Sequence, residues 1–205
     1  MFSGEMLWSL PGLLVAIVFH EYAHARMAHE LGDPTPAYTG RLTLNPLAHL
    51  DPIGLLMLWL FRFGWAKPVQ VNPYNFRDAR RGMLLVSVAG PGMNLILAFV
   101  ALLFLRLPFA DLHPAISRIV WWIMMYNVWL ALFNLIPVPP LDGSKVLASL
   151  LPPYRRDIIA FLEQYGFLIL IALIVSGIVW RILNPLAHFI LGLFDLLVGL
   201  LLWPF

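Results

Sequence analysis

The sequence predicts an all-α polytopic membrane protein, with about five transmembrane helices, one re-entrant or interfacial segment and room for a short β-hairpin. Three observations predict it. Of 205 residues, 61% are hydrophobic and only 12% charged, about half the charge of a soluble domain, so the surface has to face lipid. Mean hydropathy is +0.83. Five stretches reach the roughly 20 mostly apolar residues that cross a hydrocarbon core about 30 Å thick. No segment is long or polar enough to form a soluble domain, so residues 1–205 read as one integral membrane domain. Within it, residues 8–151 form a core and 156–205 a closing helical pair.

The first stretch, residues 10–31, opens at Ser9 and Pro11 and closes at Gly32, Asp33 and Pro34, a helix stop signal. The segment before it carries no Lys or Arg, which a cleavable signal peptide would, so it is expected to be retained as a first span. In the following loop, residues 38–44 alternate between Gly and Pro at both ends, compatible with a short strand or hairpin. Residues 52–61 are apolar but about half a membrane long, as in a re-entrant or interfacial piece. The remaining spans are expected at 82–105, 119–141, 158–180 and 185–203, with Pro137, Pro139 and Pro140 breaking the end of the third.

Charge sets an expected orientation. If 52–61 does not cross, Arg26, Arg41, Arg62, Lys67, Arg77, Arg80, Arg81, Lys145, Arg155 and Arg156 share one side, leaving Arg106, Arg118 and Arg181 on the other. The positive-inside rule makes the richer side cytoplasmic, with the N-terminus outside and the C-terminus inside. A net charge of +2, from scattered residues, excludes a nucleic-acid surface. With no cysteine, any metal must use nitrogen and oxygen ligands.

The polar residues of the first helix carry the chemistry. His20-Glu21-Tyr22-Ala23-His24 matches H-E-x-x-H. Residues four apart share a helix face, so both imidazoles can reach one Zn²⁺ while Glu21 sits beside it as general base. Three ionisable groups in five positions of an apolar span need a metal, a cavity or a partner. A hydrogen-bonded cluster between helices is the alternative. A catalytic zinc normally has three protein ligands. The remote candidate for the third is Asp142, after the proline-broken segment, where Gly143 leaves room beside it; a plain N-cap is its alternative. Asn94 and Asn134, polar residues in or at the end of apolar spans, could bind substrate backbone or a developing oxyanion, or bond between helices. His49 could line the site or take the open metal position, or be a satisfied loop histidine.

Together, His20-Glu21-Tyr22-Ala23-His24, Gly90-Pro91-Gly92-Met93-Asn94 and Phe133-Asn134-Leu135-Ile136-Pro137 with Leu141-Asp142-Gly143 resemble, in order, the motifs of the site-2 protease family of intramembrane zinc metalloproteases. The resemblance covers about residues 8–151. It implies His20, His24 and Asp142 as ligands of one zinc and Glu21 as general base. It also implies a substrate that is a transmembrane or membrane-proximal segment of another protein, cut near the cytoplasmic face. The PDZ-like and CBS-like domains of better-known members are not expected here. Rival readings are an inactive zinc-binding scaffold of the same fold, a metal transporter, and another H-E-x-x-H membrane protease such as a prenyl-protein endopeptidase. The transporter would need polar groups spread over several spans, and the last would use a different third ligand.

Overall fold

The computed structural model describes residues 4–51, 53–54, 66–107 and 113–202. Eight α-helices are described: α1 (Gly4–Glu30), α2 (Thr35–Tyr38), α3 (Pro46–His49), α4 (Ala79–Leu105), α5 (Pro114–Asn134), α6 (Asp142–Leu150), α7 (Arg156–Val175) and α8 (Ile178–Leu202). Four of them, α4, α5, α7 and α8, are long and apolar enough to cross a membrane. The first expected span is now α1, 27 residues long, which is not among those four and carries Glu5, His20, Glu21, His24, Arg26 and Glu30.

Helices α1, α4 and α5 pack on one another and form the centre of the bundle, α4 running antiparallel to the other two. Small residues allow the approach: a Cβ on Gly12 would lie 2.7–2.9 Å from the backbone of Trp122 and Ile123, so α1 and α5 touch backbone to backbone there. Helix α8 closes one side, with Val179, Leu183 and Ala187 packed against Ala98 of α4 and Val128 and Leu132 of α5. Helix α7 contacts α8 and presses Leu170 against Val138 and Leu141, so the closing pair braces the proline segment.

Several boundaries differ from expectation. The third span stops at Asn134 rather than 141, and α8 begins at Ile178, seven residues early, carrying Pro185 inside it. Its neighbour α7 ends at Val175, before Gly177 at φ +73° turns the chain.

The hairpin expected at 38–44 does not form. Pro34 and Pro36 set the chain in a helical turn, with the Ala37 and Tyr38 N–H groups on the Pro34 carbonyl. Among the described residues there is no strand, only an isolated bridge between Leu50 and Ala66. The re-entrant expectation at 52–61 falls outside the described residues, apart from Ile53 and Gly54.

Candidate metal centre

Helix α1 is long enough, uninterrupted past Pro11, to place His20 and His24 one turn apart facing α4 and α5. Both are buried, at 4% and 7% exposure, and so is Asp142 at 5%. Asp142 reaches them because the chain leaves α5 at Asn134, runs through the proline segment and restarts as α6 at Asp142 itself. Leu141, not Asp142, occupies the N-cap position, and no side chain caps this end. The N-cap alternative is thereby replaced: Asp142 turns its carboxylate to the histidines.

The three side chains converge. Asp142 Oδ2 lies 3.1 Å from His20 Nε2 and 2.9 Å from His24 Nε2, and the two Nε2 atoms are 3.0 Å apart. A triangle of this size has a point about 2.1 Å from every corner, the distance zinc takes to nitrogen and carboxylate oxygen. Among the described residues this trio is the group able to hold one metal ion.

The outer hydrogen bonds test whether a cation fits. His20 Nδ1 is 2.6 Å from Asn94 Oδ1 and His24 Nδ1 is 2.7 Å from the Val86 carbonyl. Both partners are acceptors, so both Nδ1 atoms carry the proton and donate, leaving a lone pair on each Nε2. Two such lone pairs and a carboxylate oxygen face one another about 3 Å apart, an arrangement that a cation between them stabilises. On its other oxygen, Asp142 Oδ1 accepts from Lys145 Nζ at 3.2 Å. Each candidate ligand therefore has an orienting partner of the kind that metal ligands carry.

Glycine makes room for the ring pair. A Cβ on Gly90 of α4 would stand 2.5 Å from His24 Nε2 and 2.7 Å from His20 Cε1. At Gly143 it would meet the Leu135 and Ile136 carbonyl oxygens at 2.3 and 2.4 Å, so only glycine lets α6 start this close to the end of α5. Arg80, at the start of α4, holds the other end of α6, donating to the carbonyls of Ser149, Leu150 and Leu151.

The other expected site residues fall as follows. Glu21 lies beside the trio in sequence, half-buried, and its Oε2 accepts the Val69 N–H at 3.1 Å. Asn94 is fully buried, with its Oδ1 toward His20. Asn134 ends α5, its Nδ2 donating to the Leu130 carbonyl of its own helix at 3.0 Å. His49 stands outside the metal group; it is fully buried at the end of α3 and donates from Nε2 to the Thr43 carbonyl at 2.7 Å. Sequence reasoning missed Lys145, the Val69 N–H and Asn127, which is buried against Asn94. Asn127 carries the same signal that marked Asn94, a carboxamide amid an apolar span.

Comparison with known proteins identifies the family. The family model described as Peptidase family M50 matches residues 109–177, which include Asp142. Several relatives share the name "Putative zinc metalloprotease", YwhC and Rip2 among them. YwhC of Bacillus subtilis (strain 168) is 42% identical over 195 residues, covering 89% of each chain. Rip2 of Mycobacterium tuberculosis (strain H37Rv) is 33% identical over 181 residues, 85% of this chain and 69% of its own. Zinc metalloprotease MJ0392 of Methanocaldococcus jannaschii is 24% identical over 168 residues, 81% of this chain and 38% of its own. No solved structure matches significantly. Identity at the level of YwhC over nearly the whole of both chains means that this multi-pass membrane protein belongs to peptidase family M50, the site-2 protease family of zinc metalloproteases.

Proposed function

We propose that the protein is an intramembrane zinc metalloprotease that hydrolyses peptide bonds in or near transmembrane segments of other membrane proteins, near the cytoplasmic face. The observation that carries this reading is the meeting of His20, His24 and Asp142 around one point, with Glu21 adjacent on α1. The three residues would hold zinc, which supplies Lewis acidity: it brings the pKa of water to about 7 and polarises the scissile carbonyl. Glu21 takes the proton from the attacking water and delivers it to the leaving amine. The Val69 N–H fixes one of its oxygens, Oε2, so Oε1 is the oxygen we assign to that proton. Asn134, at the mouth of the proline segment, is assigned to the substrate backbone.

The helices support a reading of depth and orientation. We read α1 as a fifth span, entering from outside. His24 lies six residues before the end of α1 at Glu30, hence about 9 Å inside the end where the basic residues gather. Cleavage near the cytoplasmic face accords with that depth.

The test is co-expression with single-span membrane substrates, comparing wild type with Glu21→Gln. The variant should fold and retain zinc while cleavage falls by at least about 10²-fold. Undiminished cleavage by Glu21→Gln would overturn the role of Glu21. No cleavage by either protein across a substrate panel, with zinc bound, would favour the inactive zinc-binding scaffold.

A further inference from the structure

Behind His20 lies a second buried polar system that zinc chemistry does not by itself require. Asn94 of α4 and Asn127 of α5 are both fully buried. Asn94 Nδ2 donates to the Ala16 carbonyl at 2.9 Å and to Asn127 Oδ1 at 2.7 Å. Asn127 Nδ2 in turn donates to the Ile123 carbonyl at 2.8 Å. All three helices of the central bundle thus meet in one chain of hydrogen bonds ending on His20 Nδ1.

The direction of that chain is set by two groups that cannot turn round. Backbone carbonyls only accept, so Ala16 and Ile123 each demand an N–H. Turning the Asn94 amide over would bring its oxygen to 2.9 Å from the Ala16 oxygen and 2.7 Å from Asn127 Oδ1, two repulsive contacts. With Asn94 N–H₂ committed to these acceptors, its Oδ1 must face His20, and His20 must carry its proton on Nδ1. The lone pair is then on Nε2, toward Asp142 and His24.

We propose that Asn94 and Asn127 are a positioning pair: an amide relay, anchored on the Ala16 and Ile123 carbonyls, that locks His20 in its metal-binding tautomer and orientation. The inference rests on the metalloprotease reading of the site. It makes α5, which supplies no ligand, part of the metal centre. Neither carboxamide is left to act on substrate, which separates Asn94 from the oxyanion role the sequence suggested for it.

The test uses the full chain purified in detergent, with zinc affinity measured by competition against a chromophoric chelator and the ligand field read from the Co²⁺ visible spectrum. Asn94→Leu should bind zinc about 10–100-fold more weakly and shift the Co²⁺ bands. Asn127→Leu should move both readouts the same way by less. Asn127→Asp, whose protonated carboxyl still accepts from Asn94 and donates to Ile123, should stay near wild type. Simple interhelical glue would lower thermal stability in the leucine variants without moving zinc affinity or the Co²⁺ spectrum, and that result overturns the proposal. Should Asn94→Leu fail to fold, Asn127→Leu decides on the same criteria. Wild-type protein that binds no zinc, or a His24→Ala variant that binds it equally well, would overturn the metal reading and this inference with it. Normal wild-type binding with unaffected Asn variants overturns this inference alone.

Discussion

Asp33 has no exposed surface, yet four donors surround its carboxylate. Oδ1 accepts from the Thr35 N–H at 3.1 Å, the Thr35 hydroxyl at 2.6 Å and Asn75 Nδ2 at 2.7 Å; Oδ2 accepts from the Asn72 N–H at 2.7 Å. Burial pushes the carboxyl pKa up, and these hydrogen bonds outweigh it, leaving the group below its ordinary value. A carboxyl whose folded pKa is depressed stabilises the fold above its unfolded pKa and loses that contribution as pH falls through the folded one. Asn in place of Asp33 keeps one acceptor oxygen and faces the Asn72 N–H with a second donor. Asp33→Asn should therefore lower stability at neutral pH by about 1–3 kcal/mol. Its disadvantage relative to wild type should narrow in acid, which thermal unfolding in detergent across pH 3–7 would measure. The Asp33 interactions were not legible beforehand, because Asn72 and Asn75 are some forty residues away in sequence. Only the helix stop at Gly32, Asp33 and Pro34 was readable.

At the scale of the element, α6 is the piece on which the site depends. Nine residues long, it is too short to hold itself, and it is fixed at one end by Asp142 and at the other by Arg80. Helix α7 adds support through the proline segment: a Cβ on Gly166 would lie 2.8 Å from the Pro139 ring. Arg80→Ala removes the donors from three terminal carbonyls and should loosen α6, weakening zinc binding and lowering the thermal midpoint. Arg80→Lys, which keeps charge but not the planar set of donors, should restore part of both. Gly143→Ala is expected to be worse. Its methyl meets backbone oxygen rather than a movable side chain, and overpacking of that kind costs about 1–3 kcal/mol. Zinc content of the purified variant, compared with Gly92→Ala, where nothing stands within 4 Å, would check it. The hairpin failed at this same scale. Its alternating pattern was real, but prolines and the Asp33 hydrogen bonds hold a helical turn there, and Arg41, itself buried, folds the chain back onto the Ala48 carbonyl.

Across the whole molecule, charges sort to two ends. Glu5 of α1 pairs with Arg118 of α5, and Arg106 after α4 with Asp195 of α8. The opposite end carries Arg77, Arg80, Arg81, Lys145 and Arg155. The proposed orientation of α1 puts this second end in the cytoplasm; Asp195 at the first end sets the C-terminal end of α8 beside the start of α1, which corrects the expectation that the two termini lie on opposite sides. Because the chain has no cysteine, single cysteines report cleanly. A Cys at Tyr74, 95% exposed, should react with an impermeant maleimide only after cells are opened, and one at exposed His113 in intact cells; the reverse pattern would invert the topology. The sequence by itself determined the membrane class, most of the spans and the local half of the site, since composition, hydropathy and the four-residue spacing of His20 and His24 are properties of neighbouring residues. Only the tertiary structure decided that Asp142, 118 residues beyond His24, closes the triangle, and that Asn94 faces His20 while Asn127 stands behind it. Those contacts arise where three helices cross, and the crossing depends on small residues such as Gly12 and Gly90 whose neighbours lie far off in the chain.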